Sequence, residues 1–319
     1  MANDMPARIQ VHEEGPREGF QSEAVIVPTA QKIRFIEALA ETGIGEIDCV
    51  SFVNPKRVPQ MADAEEVAAA IRRRPGVRYL GVWMNAQGFR RARQSAVDLC
   101  GTLFVSASEQ FAIHNNEQNR SGMQDEQRLL LEQYRQAGVA VERLYVFTAF
   151  GCNYAGEIAP SIVVNAVADL LALCHGQPEP VVYLADTVGW ASPTSVERLL
   201  GTLRQRWPQL EFGLHLHDTR GLGIANAATG LRMGVTHFDA SCGGLGGCPF
   251  AGNKAAAGNI ATEELVQLCE EAGIATGIDL DAMIECAALA ESIVGHPLLS
   301  KVAKGGSLSS RRRRTLHAD

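Results

Sequence analysis

Eight short runs of strand-forming residues, most of them followed by a segment with helical hydrophobic spacing, constrain the fold of this chain more than any other feature. The strand-type runs lie at 9–13, 46–50, 79–83, 102–106, 144–148, 181–185, 212–217 and 237–241. Helical patterns occupy 30–42, with apolar residues at Ile33, Ile36, Leu39 and Ala40, and then 64–73, 125–136, 161–174 and 193–205. Strands that alternate with helices favour a parallel sheet, and eight units favour closure into an α/β TIM (β/α)8 barrel over an open doubly wound sheet. A length of 319 residues suits one such barrel, whose usual size is about 250 residues before insertions.

Two further helical patterns, 263–272 and 280–294, follow the eighth strand. One completes the barrel, and the other is an extra C-terminal helix expected to cover a face. Residues 1–303 are therefore expected to form the barrel with its cap helix. Residues 304–319, with Arg311 to Arg314 after Gly305-Gly306-Ser307, are expected to form a basic, disordered tail.

Charge and cysteine usage exclude several classes. With 29 Lys plus Arg against 36 Asp plus Glu, the net charge of −7 gives no electrostatic reason to expect nucleic acid. The chain carries no long apolar stretch of the kind a signal peptide or membrane span needs, so a cytoplasmic protein is expected. The eight cysteines, at 49, 100, 152, 174, 242, 248, 269 and 286, form no CxxC pair, which argues for reduced thiols and against a zinc-finger or disulfide framework. Cys100, Cys174, Cys269 and Cys286 fall in apolar, helix-like stretches and read as core. Cys248 differs, because it lies between Gly-Gly and Pro, where the backbone is free to approach something closely.

Barrel enzymes place their chemistry at the C-terminal ends of the strands. The polar residues there are Arg17, Glu18 and Gln21 after the first strand, Asp48 and Ser51 at the second, Asn85 at the third, and Asp186 and Thr187 at the sixth. His215, His217 and Asp218 fall at the seventh, and Cys248, Asn253 and Asn259 after the eighth. Alternation along a strand puts His215 and His217 on one face, where two imidazoles can serve one ion, although a pair of packed histidines would leave the same trace. A carboxylate, two imidazoles and an amide oxygen suit Mg²⁺, Mn²⁺ or another octahedral divalent ion better than a thiolate-rich zinc site does.

Several motifs in order resemble those of 3-hydroxy-3-methylglutaryl-CoA lyases over about residues 9–303. They are Gly15-Pro16-Arg17-Glu18-Gly19-Phe20-Gln21, Ser51-Phe52-Val53-Asn54-Pro55-Lys56, Val58-Pro59-Gln60-Met61, Asp186-Thr187-Val188-Gly189, His215-Leu216-His217-Asp218-Thr219, the glycine-rich run 244–250, and Gly258-Asn259-Ile260-Ala261-Thr262-Glu263. The resemblance implies that Glu18, His215, His217 and Asn259 bind a divalent cation, Mg²⁺ or Mn²⁺. It implies that Arg17 stabilises an enolate oxygen, that Cys248 acts as acid or base from a mobile loop, and that Asp48 and Asp186 line the site. The implied reaction is retro-Claisen cleavage of an acyl-CoA to a keto acid and acetyl-CoA, by a homo-oligomer, dimer or tetramer.

The family's Arg-Asp is Arg17-Glu18 here, its following leucine is Phe20, and a glutamate of the second strand is Asp48. The longer and shorter carboxylates are either a compensating exchange or independent drift. The interval from Cys248 to Asn259 is two residues longer than the family's, which makes Asn253 a rival ligand. Asn259 is favoured because it leads directly into a helix. Phe20, Trp83 and Trp190 either reshape the acyl pocket or simply pack. Three readings stay open: a lyase for 3-hydroxy-3-methylglutaryl-CoA or a relative such as citramalyl-CoA, a Claisen-condensing synthase, and a barrel that binds acyl-CoA without turnover. The synthases usually carry Gly-x-Gly-Glu-Arg where this chain has Gly-Gly-Cys-Pro.

Overall fold

A computed structural model describes residues 5–116, 119–247 and 257–316. Its sheet contains β1 (Gln10–Glu13), β2 (Glu46–Ser51), β3 (Arg78–Val82), β4 (Gly101–Ser106), β5 (Val141–Phe147), β6 (Val181–Ala185), β7 (Phe212–His215) and β8 (His237–Ala240). All eight run parallel, in the order β3-β2-β1-β8-β7-β6-β5-β4. Each strand-type run of the sequence is thus a strand, and the curled sheet with its surrounding helices is the expected barrel.

The remaining gap, between β3 and β4, is bridged by a side chain. The Asp98 backbone N–H donates to Tyr79 O at 2.7 Å, and Asp98 Oδ2 accepts from the Tyr79 N–H at 2.7 Å. A carboxylate here does the work of a ladder carbonyl just before β4 begins. Gly101 opens β4 because its neighbour is so close: a Cβ there would lie 2.2 Å from Ala140 O.

The helices bury apolar stripes against the outside of the strands. In Thr29–Ala40 the buried residues Phe35, Ile36, Leu39 and Ala40 repeat at helical spacing and join Ile47 and Val50 of β2 in one core. Three helices lacked a clear pattern in the sequence: Ala86–Arg93, Glu109–Asn116 and Gly223–Arg232. The first carries three arginines and a glycine, and the last is built of small residues, so neither displays a strong apolar stripe. Helix 64–73 stops earlier, at Ala70, and helix 125–136 begins earlier, at Arg120.

Where a basic, disordered tail was expected, the described residues carry helical structure. Helices Lys301–Gly305 and Leu308–Leu316 occupy most of it. Ser307 Oγ donates to Asp281 at 2.5 Å, Arg312 pairs with Glu271 at 2.7 Å, and Arg313 pairs with Asp281 at 2.6 Å. Those acids lie on the two helices that follow β8, so the basic run meets complementary charge on the barrel's flank. Isolated sequence composition does not carry that pairing.

Inside the barrel, strand register lines up polar residues. Glu46, His12, Asp239 and His215 are successive register partners across β2, β1, β8 and β7. β2 carries one extra residue at Cys49 relative to β3, a bulge of the kind that re-aims neighbouring side chains.

The seam gives a direct test. Asp98→Ala leaves the Tyr79 amide without its acceptor and Arg73 without its carboxylate partner, and should cost about 1–3 kcal/mol of stability. Denaturant unfolding together with faster hydrogen exchange at the Tyr79 amide checks it; Asp98→Asn, which keeps an acceptor, should recover part of the loss.

Candidate active site

β1 runs directly into the turn that carries two expected site residues. This five-residue π-helical turn, Gly15–Gly19, has Pro16 in its first positions; single turns of this kind are frequent at functional sites. Gly19 permits a close approach at its end, since a Cβ there would lie 2.7 Å from Leu245 Cβ. The turn brings Glu18 to the histidines of β7.

His215 and His217 face each other with their Nε2 atoms 3.1 Å apart. Glu18 Oε1 lies 3.5 Å from His217 Nε2 and 3.9 Å from His215 Nε2. The same-face expectation holds even though the strand ends at His215. His215 Nδ1 lies 3.1 Å from Asp239 Oδ2, and Asp239 also meets His12 Nδ1 at 3.2 Å and accepts from the Tyr145 hydroxyl at 2.9 Å. A proton on Nδ1, which this carboxylate favours, leaves Nε2 as the lone-pair donor. Burial opposes ionisation of Asp239, yet the His12 and His215 contacts outweigh it and hold the carboxyl well below the usual range. At Glu18 burial is likewise outweighed, here by Arg17 and then His217.

Asn259 sits beside His217 through an isolated antiparallel bridge. The Ile260 N–H donates to Leu216 O at 3.0 Å and the Asp218 N–H to Gly258 O at 2.6 Å, which fixes the segment against the end of β7. The Asn259 side chain is buried, and neither amide atom has a hydrogen-bond partner among the described residues. An unpaired buried amide calls for a ligand. A Cβ at Gly246 would lie 3.6 Å from Asn259 Nδ2 and 3.9 Å from Glu18 O, so the amide and the Glu18 turn flank the same small space. Two imidazoles, a carboxylate and an unpaired amide fit a divalent cation. Cys248 and the rival Asn253 lie outside the described residues.

Arg17 joins the two unusual carboxylates. Its Nη1 lies 2.9 Å from Glu18 Oε2, its Nη2 lies 3.5 Å from Asp48 Oδ2, and Nη2 also pairs with Glu14. Asp48 Oδ1 lies 3.2 Å from His12 Nε2. Asp48 therefore stands on the Arg17 side, while Glu18 reaches the histidines. Burial would raise Asp48, but His12 and then Arg17 bring its carboxyl below the ordinary value.

Asp186, at the end of β6, accepts at Oδ1 from the backbone N–H groups of Trp190, at 2.6 Å, and Ala191, at 3.0 Å. Its Oδ2 is buried without a partner among the described residues. Burial pushes the carboxyl up to about 6, against the pull of His217. Other strand-end residues have structural duties. Asn85 caps helix Ala86–Arg93 through the Gly88 N–H, and Thr187 Oγ1 accepts from the Thr148 N–H at 2.8 Å.

The three aromatic residues separate. Phe20 is fully buried against Phe35, and Trp83 packs on Phe89 and Tyr134, donating its indole N–H to the Tyr134 hydroxyl at 2.6 Å. Both are packing residues. Trp190 stays 37% exposed, and its indole N–H donates to Asn153 Oδ1 at 2.6 Å.

Sequence reasoning missed His12, Glu14 and Asp239, all buried. Strand alternation places His12 and Asp239 on the face that carries His215, a signal available in principle. Also missed was the support behind the site. Glu13 accepts from the Gly15 and Cys242 N–H groups at 2.8 Å each and from the Thr262 hydroxyl at 2.6 Å. Glu263 accepts from the Gly243 N–H at 2.9 Å. Together they tie β1 to the turn after β8 and to the helix that follows Asn259.

Known proteins resemble this chain in sequence and fold. The HMGL-like family model matches residues 8–290. A mitochondrial hydroxymethylglutaryl-CoA lyase from Bos taurus is 38% identical over 302 residues, covering 94% of this chain and 90% of that protein. The crystal structure of a Bacillus subtilis HMG-CoA lyase superposes with a TM-score of 0.88 at 35% identity, covering 94% of this chain and 98% of that one. An Acinetobacter baumannii HMG-CoA lyase in complex with coenzyme A and 3-methylmalate gives a TM-score of 0.86 at 36% identity, covering 97% of each chain.

The support carboxyls titrate in an accessible range. Burial pushes Glu13 up to about 7 and Glu263 up to about 8 from 4.5. A raised carboxyl favours the folded state fully below its unfolded value and loses that contribution as pH climbs through its folded value. Glu263→Gln, which stays neutral, should melt above the parent at pH 9 and lose that advantage at pH 5. Thermal melts at the two pH values check it; an equal offset at both would contradict it.

Proposed function

The chain belongs to the HMGL-like family, and we propose that it is a divalent-metal-dependent acyl-CoA lyase acting on 3-hydroxy-3-methylglutaryl-CoA or a close branched relative. The observation that carries this reading is the convergence of Glu18, His215 and His217, with Arg17 on the other Glu18 oxygen and, beside them, a buried Asn259 whose amide has no partner among the described residues.

Glu18, His215, His217 and Asn259 would hold the cation, Mg²⁺ or Mn²⁺, which supplies the positive charge that acidifies a tertiary alcohol. In the cleavage the alcohol loses its proton and becomes a ketone as the neighbouring carbon–carbon bond breaks. The bonding pair passes to the acetyl-CoA fragment as an enolate, and a proton at its carbon completes acetyl-CoA. Arg17 offers a fixed cation for the enolate oxygen, and a group held in place before reaction acts without reorganisation. Asp186, at about 6 and with Oδ2 unpaired among the described residues, is poised to accept or hold a proton near neutral pH. The role of Cys248 as acid or base at the enolate carbon rests on the family resemblance. A pocket for a branched hydroxy diacid is supported by the Acinetobacter relative with 3-methylmalate, which keeps citramalyl-CoA beside the first substrate.

A panel of 3-hydroxyacyl-CoA thioesters with Mg²⁺ or Mn²⁺, followed by mass spectrometry, should show acetyl-CoA and an equimolar keto acid from at least one branched member. His217→Ala should abolish that release and weaken Mn²⁺ binding while the protein stays folded. Undiminished turnover by this variant in chelated buffer would remove the metal assignment, and no acetyl-CoA from any thioester would overturn the lyase reading.

A further inference from the structure

We propose that Glu14 is a positioning residue that seats Arg17 and thereby leaves one Glu18 oxygen available to the histidine pair, an inference that rests on the lyase reading for what Arg17 does. Glu14 is the last residue before the Gly15–Gly19 turn. Its carbonyl accepts from the backbone N–H groups of Arg17 at 3.1 Å and Glu18 at 2.8 Å. Its side chain pairs with Arg17 Nη2. One buried residue thus holds both the turn's backbone and its guanidinium.

The competition for Arg17 explains why such a seat is needed. Arg17 and Glu18 are neighbours, and a guanidinium facing a carboxylate prefers to take both oxygens through two parallel hydrogen bonds. That arrangement would draw Glu18 away from His217. In the structure Nη2 is taken by Glu14, with Asp48 Oδ2 at 3.5 Å, and only Nη1 leans on Glu18, through Oε2 at 2.9 Å. Glu18 Oε1 is left 3.5 Å from His217 Nε2. The two Glu18 oxygens therefore have separate partners because Glu14 occupies the other half of the fork.

Glu14, His12 and Asp48 also stand close enough to suggest a cation site of their own. Two guanidinium groups already fill that role. Arg143 Nη1 lies 3.0 Å and 3.2 Å from the two ring nitrogens of His12, and Arg17 is paired with Glu14 and close to Asp48. A dication there would meet like charge at close range, so the cluster is the guanidinium's seat.

The test compares Glu14→Leu with Glu14→Gln, which keeps an acceptor for Nη2. Displacement of a reacting group on the order of 1 Å costs roughly a hundredfold in rate, so Glu14→Leu should lower kcat about a hundredfold. A group acting in the transition state leaves KM within about threefold, and Glu14→Gln should restore most of kcat. Mn²⁺ affinity, by titration calorimetry, should stay within about threefold of the parent in both variants, because Glu14 is outside the ligand set. Phenylglyoxal should modify Arg17 faster in Glu14→Leu than in the parent, with peptide mass spectrometry as the readout. A fall in Mn²⁺ affinity as large as that of His217→Ala would make Glu14 a ligand and overturn the proposal, as would unchanged kcat. If the parent cleaves no acyl-CoA, the lyase reading fails by itself. Arg17 reactivity still decides the role of Glu14, with equal rates in parent and Glu14→Leu counting against it. Should Glu14→Leu not fold, Glu14→Ser carries the same measurements.

Discussion

The contact between His215 and Asp239 is the one on which the rest of the site depends. It joins two adjacent strands in register, and it fixes which imidazole nitrogen faces Glu18 and His217. Asp239 can do this because His12 and Tyr145 bind it as well, so the carboxylate is held from three directions. Orientation of a ligand by a buried carboxylate is a common device in metal sites, and loss of such a partner typically costs about 10 to 100 fold in affinity or activity. Here the device is built from barrel strands rather than loops, which gives it the rigidity of the sheet.

Charge balance is the second constraint. Glu14, Glu18, Asp48 and Asp239 stand close together at the end of the barrel, against Arg17 and, deeper, Arg143. Two unit charges 4 Å apart interact by about 4 kcal/mol at an effective dielectric of 20, so four carboxylates require more than incidental compensation. Arg17 meets three of them, and His12 meets Asp48 and Asp239. The balance is local: removing one partner from a buried pair costs about 3–5 kcal/mol because the other is left uncompensated. A dication beside Glu18 extends the same balance to the His215 and His217 side. The exchange of a longer carboxylate at position 18 and a shorter one at 48 also has a physical link, since both lean on the same guanidinium.

Much of this was legible in the sequence. Short runs of strand-forming residues set between helical patterns marked all eight strands, and the His215-x-His217 spacing marked the facing imidazoles, because alternation along a strand follows from backbone geometry alone. Helix Gly223–Arg232 escaped because small residues make little hydrophobic contrast. The tail escaped because Arg312 and Arg313 find Glu271 and Asp281 only in three dimensions. Glu14 escaped for a different reason: at the junction between β1 and the Gly15–Gly19 turn a buried carboxylate looks like a solvated one until its partners are known. Asn259 was identified through the motif around it, and its burial with no hydrogen-bond partner among the described residues is what the structure adds.

Anomalous diffraction from crystals grown with Mn²⁺ shows whether this chain builds a divalent-metal site from the turn after β1, the end of β7 and Asn259. One anomalous peak is expected at the end of the barrel, within bonding distance of Glu18 Oε1, both His215 and His217 Nε2, and the Asn259 amide oxygen. A peak centred instead on His12, Glu14 and Asp48, or none at saturating Mn²⁺, would contradict it.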